Sequence, residues 1–177
     1  MQLTQSIKAI IRDVHDFPKP GIIFKDITPI LSEPVIRKEI VKKIADHFRP
    51  LELDAVVAIE ARGFILGSLI AQELELPFIP VRKSGKLPYK TIREEYALEY
   101  GSASVEIHQD ALGPGDKVLI HDDLLATGGT ATAAGKLVRK LGAEIGGFSF
   151  LINLSFLPGL NLLEKNFEVK PFSVVTY

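Results

Sequence analysis

The chain has 177 residues, of which 46% are hydrophobic and 24% are charged, a composition typical of a single globular domain. It contains no cysteine, which excludes disulfide bonds, thiolate nucleophiles and cysteine-based metal sites. Its 21 basic and 22 acidic residues give a net charge of −1, and no long basic run is present, so nucleic acid is a poor candidate partner.

The N-terminal part of the sequence predicts two helices separated by an irregular segment. Apolar residues at helical spacing from Ile7 to Val14 indicate a first amphipathic helix. The segment from Phe17 to Leu31 contains three prolines and is rich in apolar side chains, so we expect it to be irregular and to cover a site. A second helix is predicted from Pro34 to Phe48, with Ser32 as its N-cap.

Further along the chain, short apolar runs alternate with helical patterns. Strands are predicted at residues 54–59, 78–81, 97–108, 117–121 and 148–154, with a last extended piece at Val174, and helices at residues 63–74 and 129–141. This order predicts an α/β fold with a mostly parallel central sheet flanked by helices on both faces. Residues 84–95 are polar and long for a connection, which is typical of a functional lid.

Two features bear on location. The stretch from Phe148 to Leu163 is apolar, but it is short for a membrane helix and is interrupted by Asn153 and Pro158. We therefore predict a buried strand followed by a turn. The N-terminus lacks the positive region and apolar run of a secretory signal, so we expect a cytoplasmic protein with no membrane association.

The most informative motif follows the predicted strand at residues 117–121. Its residues are, in order, Asp122, Asp123, Leu124, Leu125, Ala126, Thr127, Gly128, Gly129 and Thr130. Two glycines let the backbone bring several N–H groups to one anion, and the following helix N-terminus favours a phosphate. Carboxylates beside such a site would repel the phosphate unless they face ribose hydroxyls. The motif therefore predicts a cup for a phosphorylated ribose, with the 5′-phosphate at residues 126–130 and the sugar at the two aspartates.

Other common nucleotide motifs are missing. Neither GxxxxGK[ST] nor GxGxxG occurs, which removes the main support for a kinase or a dinucleotide-binding protein. His15, His47, His108 and His121 lack metal-ligand spacing. An alternative remains for the motif itself, in which the aspartates cap a turn and the glycines serve tight packing.

The segment from Val118 to Thr130 resembles the phosphoribosyl pyrophosphate motif of the type I phosphoribosyltransferases. Five further strings resemble adenine-specific members of that family over nearly the whole chain: FPKPGIIFKDITPIL, IEARGF, RKSGKLPY, YALEYG and DALGPGDKV. The resemblance implies the type I phosphoribosyltransferase fold, with one domain over residues 1–177. It also implies a small N-terminal hood at residues 1–34 and a flexible lid at residues 84–98.

The resemblance also implies an activity. Members of the family transfer 5-phosphoribosyl from phosphoribosyl pyrophosphate to N9 of adenine, giving AMP and pyrophosphate, a glycosyltransferase (pentosyltransferase) reaction of purine salvage. It further implies Mg²⁺ as the cofactor, held mainly by substrate and water, and a homodimer. Two alternatives stay open: a phosphoribosyltransferase for another purine base, and a non-catalytic regulator that senses phosphoribosyl pyrophosphate.

The remaining site residues are assigned by the same resemblance. Glu99 matches the family's acid and is predicted to be catalytic, by exchanging a proton with the purine. Pyrophosphate contacts are predicted at Arg62, Arg82, Lys83 and Lys86, although the two lysines could instead be solvated surface groups. Adenine contacts are predicted at Ile23, Phe24, Lys25 and Leu124, with Phe24 stacking on the base and backbone groups distinguishing 6-amino from 6-oxo purines. The family usually has an apolar residue where His121 stands and often arginine where Lys25 stands.

Overall fold

A computed structural model describes residues 2–97 and 101–177 of the protein. In chain order the elements are α1 (Gln2–Ile10), β1 (Arg12–His15), β2 (Ile23–Asp26), α2 (Thr28–Leu31), α3 (Pro34–Phe48), a 3₁₀ turn (Arg49–Leu51), β3 (Ala55–Ile59), α4 (Gly63–Leu74), β4 (Phe78–Lys83), β5 (Thr91–Ala97), β6 (Ser102–His108), β7 (Lys117–Leu125), α5 (Gly129–Lys140), β8 (Glu144–Asn153), α6 (Gly159–Phe167) and β9 (Phe172–Thr176).

The centre of the described structure is a seven-stranded sheet in the order β5-β6-β4-β3-β7-β8-β9. Neighbours from β4 to β9 in this order run parallel, whereas β6 and β5 are added antiparallel at one edge. The central strand β3 is buried along its whole length, as its unbroken apolar sequence AVVAI requires. The carboxyl ends of β3, β4 and β7 therefore meet at one edge of the sheet, where their connecting loops gather.

Helices cover both faces of the sheet. On one face, Leu137 of α5 and Phe167 of α6 belong to a buried apolar cluster with the inner side chains of the strands. On the other, Ile44 of α3 and Ile70 of α4 form a second cluster with Ile7 of α1. The predicted α/β fold with a mostly parallel sheet and flanking helices is thus confirmed.

The N-terminal segment differs from its prediction. Helix α1 ends at Ile10, and Val14 lies in strand β1, where it pairs with Phe24 of β2. The segment from Phe17 to Leu31, predicted as irregular, contains β2 and α2. Its hairpin is closed by Asp16, whose Oδ1 accepts a 2.7 Å hydrogen bond from the backbone N–H of Gly21. Helical spacing alone did not reveal this pairing, because the partners are joined through a seven-residue connection.

Helix boundaries supply two further corrections. Helix α3 has the predicted bounds, but Ser32 is the C-cap of α2, with its N–H directed to the carbonyls of Pro29 and Ile30. The residue before α3 is Glu33, and proline at the first helical position already lacks the N–H that a cap would satisfy. The turn predicted after residue 154 leads into helix α6, which the sequence pattern did not indicate.

The polar connection from residue 84 is shorter than expected, because β5 begins at Thr91 and pairs with β6 over seven residues. Within the described ranges, none of the helices combines the length and apolar character needed to cross a bilayer.

Candidate active site

The phosphate loop, defined here as residues 126–130, lies where β7 passes into α5. β7 continues to Leu125, so Asp122 and Asp123 lie within the strand, near its carboxyl end, rather than beyond it. Together with residues 124–131, Asp122 lines a small cavity of about 80 Å³. Gly128 has φ +83° immediately before the helix, a conformation that favours glycine. The structure thus brings the predicted phosphate-binding residues together with Asp122 and Leu124.

The start of α6 braces the phosphate loop. The backbone N–H of Gly159 donates a 3.1 Å hydrogen bond to the carbonyl of Ala126. A Cβ on Gly128 would lie 2.9 Å from Gly159 Cα, so the two backbones meet where only glycine fits. Sequence reasoning missed Gly159, although the preceding Pro158 is a common residue at helix starts and was an available signal.

The two aspartates play different geometric parts. Asp122 faces the cavity, and its Oδ1 accepts a 2.8 Å hydrogen bond from the backbone N–H of Asp123. Asp123 is buried, and its Oδ2 lies 2.9 Å from Nε of Arg62. Burial raises the pKa of Asp122, and the neighbouring Asp123 charge raises it further. Burial also raises the pKa of Asp123, although the Arg62 charge opposes this.

Raised pKa values mean that these carboxylates lack enough positive or hydrogen-bonding partners within the protein. Ribose hydroxyls or a divalent cation would supply such partners. Among the described residues, no group of three or more acidic or histidine side chains is arranged to hold a metal. A pair of carboxylates nevertheless fits Mg²⁺, which commonly uses one or two carboxylates together with substrate phosphates and water.

Arg62 connects Asp123 to the N-terminal hairpin. Its guanidinium lies 4.8 Å from the centroid of the Phe24 ring, which packs edge-on against Phe17 at 5.2 Å. The next residue, Gly63, lets the start of α4 lie close to β7, because a Cβ there would lie 2.9 Å from Oδ1 of Asp122. Phe24, predicted to stack on the base, is therefore linked to Asp123 through Arg62, which was predicted as a pyrophosphate contact.

The side chain of Lys25 points away from Phe24. Its Nζ lies 2.7 Å from Oδ1 of Asp13 and 4.0 Å from the ring centroid of Tyr177. Alternate residues of a strand direct their backbone groups to the same side, so Ile23 and Lys25 present theirs together. The ion pair with Asp13 and the contact with the Tyr177 ring involve only the side chain of Lys25. The predicted role of its backbone in binding adenine is therefore compatible with these contacts.

The predicted pyrophosphate residues are divided between anchoring and exposed positions. Arg82 forms two hydrogen bonds to the carboxylate of Glu60, at 2.9 and 3.1 Å, and these lower the pKa of Glu60 despite its partial burial. The backbone N–H of Lys83 donates to the same carboxylate at 3.0 Å. The side chains of Lys83 and Lys86 are exposed at the loop after β4. Glu60 was not singled out from the sequence, because its partner lies 22 residues away.

Glu99 lies outside the described residues, as do Leu98 and Tyr100. The last residue before them, Ala97, ends strand β5. Its carbonyl oxygen would be 3.6 Å from a Cβ on Gly129, so this end of β5 lies beside the phosphate loop.

His121 is buried between the sheet and α4. Its Nδ1 lies 2.8 Å from Oγ of Ser149, and its ring faces Gly67. Burial lowers the pKa of His121 to about 3, so the ring is neutral at physiological pH. The structure thus places His121 as a packed core side chain.

Comparison with known proteins agrees with this geometry. A family model for the phosphoribosyl transferase domain matches residues 27–153, so the fold and the cup define a phosphoribosyltransferase. The chain is 57% identical to an adenine phosphoribosyltransferase from Cytophaga hutchinsonii over 161 residues, which cover 91% of this chain and 89% of the relative. The chain therefore belongs to the adenine phosphoribosyltransferase family.

Solved structures match over almost the full length. The adenine phosphoribosyltransferase from Thermoanaerobacter pseudethanolicus is 44% identical and superposes with a TM-score of 0.94, covering 98% of this chain and 99% of that one. The enzyme from Saccharomyces cerevisiae, complexed with an imino-altritol bisphosphate and adenine, is 34% identical with a TM-score of 0.91 and 98% coverage of both chains.

Proposed function

We propose that this protein is an adenine phosphoribosyltransferase that joins adenine and phosphoribosyl pyrophosphate to give AMP and pyrophosphate. The observation that carries the proposal is the cup in which the phosphate loop, Asp122 and Leu124 line one cavity. Membership of the adenine phosphoribosyltransferase family and the adenine bound in the yeast relative's structure support the choice of base.

In the proposed complex, backbone N–H groups of residues 126–130 bind the 5′-phosphate, and hydroxyls of Thr127 and Thr130 add donors. Asp122 and Asp123 serve the ribose, as acceptors for its hydroxyls. Burial raises the pKa of both carboxyls, and hydrogen bonds from ribose hydroxyls would oppose this by stabilising the ionised form. Phe24 and Leu124 form the apolar walls for adenine, and backbone groups of Ile23 and Lys25 recognise its 6-amino group.

The reaction forms a bond between adenine N9 and C1′ and breaks the bond from C1′ to the pyrophosphate oxygen. We assign Glu99 as the acceptor of the N9 proton, so that adenine becomes a neutral substituent of the sugar. Lys83 and Lys86, together with Arg62 and Arg82, provide positive charge for the departing pyrophosphate. Asp122 and Asp123 would help to hold Mg²⁺ together with substrate and water, and the ion would supply further neutralisation of the departing pyrophosphate.

The proposal includes the organisation of the chain. Residues 1–34 serve as the hood and residues 84–98 as the lid of one domain, in a cytoplasmic homodimer. Exposed apolar side chains at Val35, Ile65 and Phe78 would be buried by a second copy. Sedimentation equilibrium should give twice the chain mass, whereas a monomer at micromolar concentration would contradict the dimer.

Pyrophosphate release with different purine bases tests the function. Adenine should support turnover in the presence of phosphoribosyl pyrophosphate and Mg²⁺, and hypoxanthine and guanine should not. Equal or better turnover of hypoxanthine would favour the alternative of a different purine base. Binding of phosphoribosyl pyrophosphate without pyrophosphate release for any base would favour a non-catalytic regulator.

A matched pair of variants tests the assigned acid. Glu99→Ala should reduce turnover by about 10²–10⁴-fold, the usual contribution of general acid–base catalysis, while AMP binding is largely kept. Glu144→Ala removes an exposed carboxylate at the amino end of β8 and should leave turnover unchanged. Equal turnover of Glu99→Ala and wild type would remove Glu99 from the mechanism.

A further inference from the structure

Glu106 in strand β6 holds the loop that follows β4. The residue is only 1% exposed, and its Oε1 accepts hydrogen bonds from three successive backbone N–H groups. These come from Gly85, Lys86 and Leu87 at 2.9, 3.0 and 3.0 Å. The other oxygen, Oε2, accepts from Thr91 Oγ1 at 3.3 Å and from Arg93 Nε at 3.2 Å. One buried carboxylate thus has five donors, three of them from a single turn of the loop.

Successive backbone N–H groups that converge on one point form an anion-binding nest. Here the nest at residues 85–87 is occupied by the carboxylate of Glu106. Burial raises the pKa of the Glu106 carboxyl, but the hydrogen bonds from Leu87, Gly85 and Lys86 outweigh burial and leave the pKa below its ordinary value. The charged form of Glu106 is therefore the one that the loop stabilises.

The same loop carries the lysines assigned to pyrophosphate. Its first part is fixed by Glu60, which binds Arg82 and the backbone N–H of Lys83. Arg82 also donates a 3.1 Å hydrogen bond from Nη1 to the carbonyl of Lys86. Two carboxylates, Glu60 just after β3 and Glu106 in β6, therefore hold the backbone at both ends of the turn, while the side chains of Lys83 and Lys86 remain exposed.

We propose that Glu106 is a positioning residue that shapes residues 84–87 before substrate binds, so that Lys83 and Lys86 are set to receive the pyrophosphate group. The inference rests on the proposed function for its consequence in catalysis. Its structural part, a loop ordered by an internal anion, is independent of substrate. With the loop ordered in advance, binding does not have to order it, and affinity for the polyanion is higher.

Amide hydrogen exchange without substrate tests the structural part. Glu106→Gln keeps the size of the side chain but removes its charge and places an NH₂ donor among the loop donors. The amides of Gly85, Lys86 and Leu87 should exchange roughly ten- to a hundredfold faster in this variant. The matched control is Glu73→Gln, which removes a carboxylate paired with Arg49 on the surface between α3 and α4. Its loop amides should exchange as in wild type. Unchanged exchange in Glu106→Gln would overturn the proposal.

Steady-state kinetics test the consequence. In Glu106→Gln, KM for phosphoribosyl pyrophosphate should rise roughly ten- to a hundredfold, whereas KM for adenine should change less than about twofold. Equal increases in both KM values would indicate a general structural role and contradict positioning. If wild type has no activity, the proposed function fails, but the hydrogen exchange result still decides the role of Glu106 in the loop.

A reciprocal variant leaves the buried carboxylate in place. Leu87→Pro removes one of the three N–H donors from the loop itself. It should speed exchange at Gly85 and Lys86 and raise KM for phosphoribosyl pyrophosphate in the same selective way, with a smaller effect than Glu106→Gln. Wild-type exchange and kinetics in a folded Leu87→Pro protein would contradict the proposal even if Glu106→Gln did not fold.

Discussion

Nε of Arg62 lies 2.9 Å from Oδ2 of Asp123, and the same guanidinium lies 4.8 Å from the Phe24 ring centroid. One side chain thus pairs with an aspartate proposed to serve the ribose and supports the aromatic wall proposed for the base. Asp123 and Phe24, which are assigned to different parts of the substrate, are therefore linked through Arg62.

Replacing Arg62 by lysine should lower kcat/KM by at least about tenfold, because a point charge cannot both bind Asp123 and cover the Phe24 face. The loss should appear with both substrates, measured in separate titrations of adenine and phosphoribosyl pyrophosphate. Arg49→Lys, at an exposed ion pair with Glu73, should behave as wild type. A loss confined to phosphoribosyl pyrophosphate would contradict the connection to Phe24.

Gly159→Ala should distort the phosphate loop by introducing a side chain where α6 packs against it. The added Cβ would collide with the carbonyl of Ala126, so either α6 or the loop must move. We expect a loss of about 1–3 kcal/mol in the free energy of unfolding and weaker AMP binding, measured by urea denaturation and calorimetry. Gly113→Ala has ordinary packing distances and should stay within about 0.5 kcal/mol of wild type. Full AMP affinity in Gly159→Ala would show that the brace is dispensable.

His121 should make stability depend on pH. Its pKa of about 3 in the folded protein lies below the ordinary value of 6.5. Between pH 3 and pH 6.5 the imidazole of the unfolded chain therefore binds a proton, whereas that of the folded protein does not. Its contribution to stability is complete above pH 6.5 and is lost progressively as the pH falls towards 3, by up to about 1.4 kcal/mol per pH unit.

Urea denaturation between pH 5 and 8 checks this expectation in about four steps of pH. His121→Val should reduce the dependence below pH 6.5, since valine does not titrate. Ser149→Ala removes the hydroxyl beside Nδ1 but keeps the buried imidazole, so it should keep the dependence. Identical pH profiles for wild type and His121→Val would rule out this source of acid sensitivity.

Tyr177 should affect base binding through Lys25. Nζ of Lys25 lies 4.0 Å from the Tyr177 ring centroid, and Nζ of Lys8 lies 4.7 Å from it. Tyr177→Leu removes both contacts and should raise KM for adenine about two- to fivefold, with little change for phosphoribosyl pyrophosphate. Tyr177→Phe keeps the ring and should match wild type in initial-rate assays. Similar KM values for the leucine and phenylalanine variants would argue against the ring contact.

Local patterns were sufficient for the central architecture and for the position of residues 126–130 between a strand and a helix. The run AVVAI and the apolar residues before Asp122 predict buried parallel strands, and the structure has β3 and β7 at these positions. Gly128 was predicted as a position that needs backbone freedom, and its φ of +83° before α5 is a conformation that favours glycine. These features depend on residues that are adjacent in sequence, which explains why they could be predicted.

Features built from distant residues were not predictable in the same way. The β1–β2 hairpin depends on pairing across a connection, and helix α6 follows a segment whose apolar pattern continues that of β8. Glu106 binds a loop about 20 residues earlier, so nothing near it in sequence marks its role. The neutral state of His121 likewise depends on burial by α4 and β8, which a single sequence does not display.

The contact between Gly159 and Ala126 also has a consequence for engineering the chain. Residues 154–158 connect β8 to α6 and place Gly159 against Ala126 of the phosphate loop. Lengthening this connection by even one residue would move the start of α6 away from the loop. The connection at residues 109–116 lies at the opposite edge of the sheet, away from the cup. Inserted segments belong at its exposed residues 109–110 or 114–115, where added length would extend into solvent, and not at Leu112, which is buried in the core.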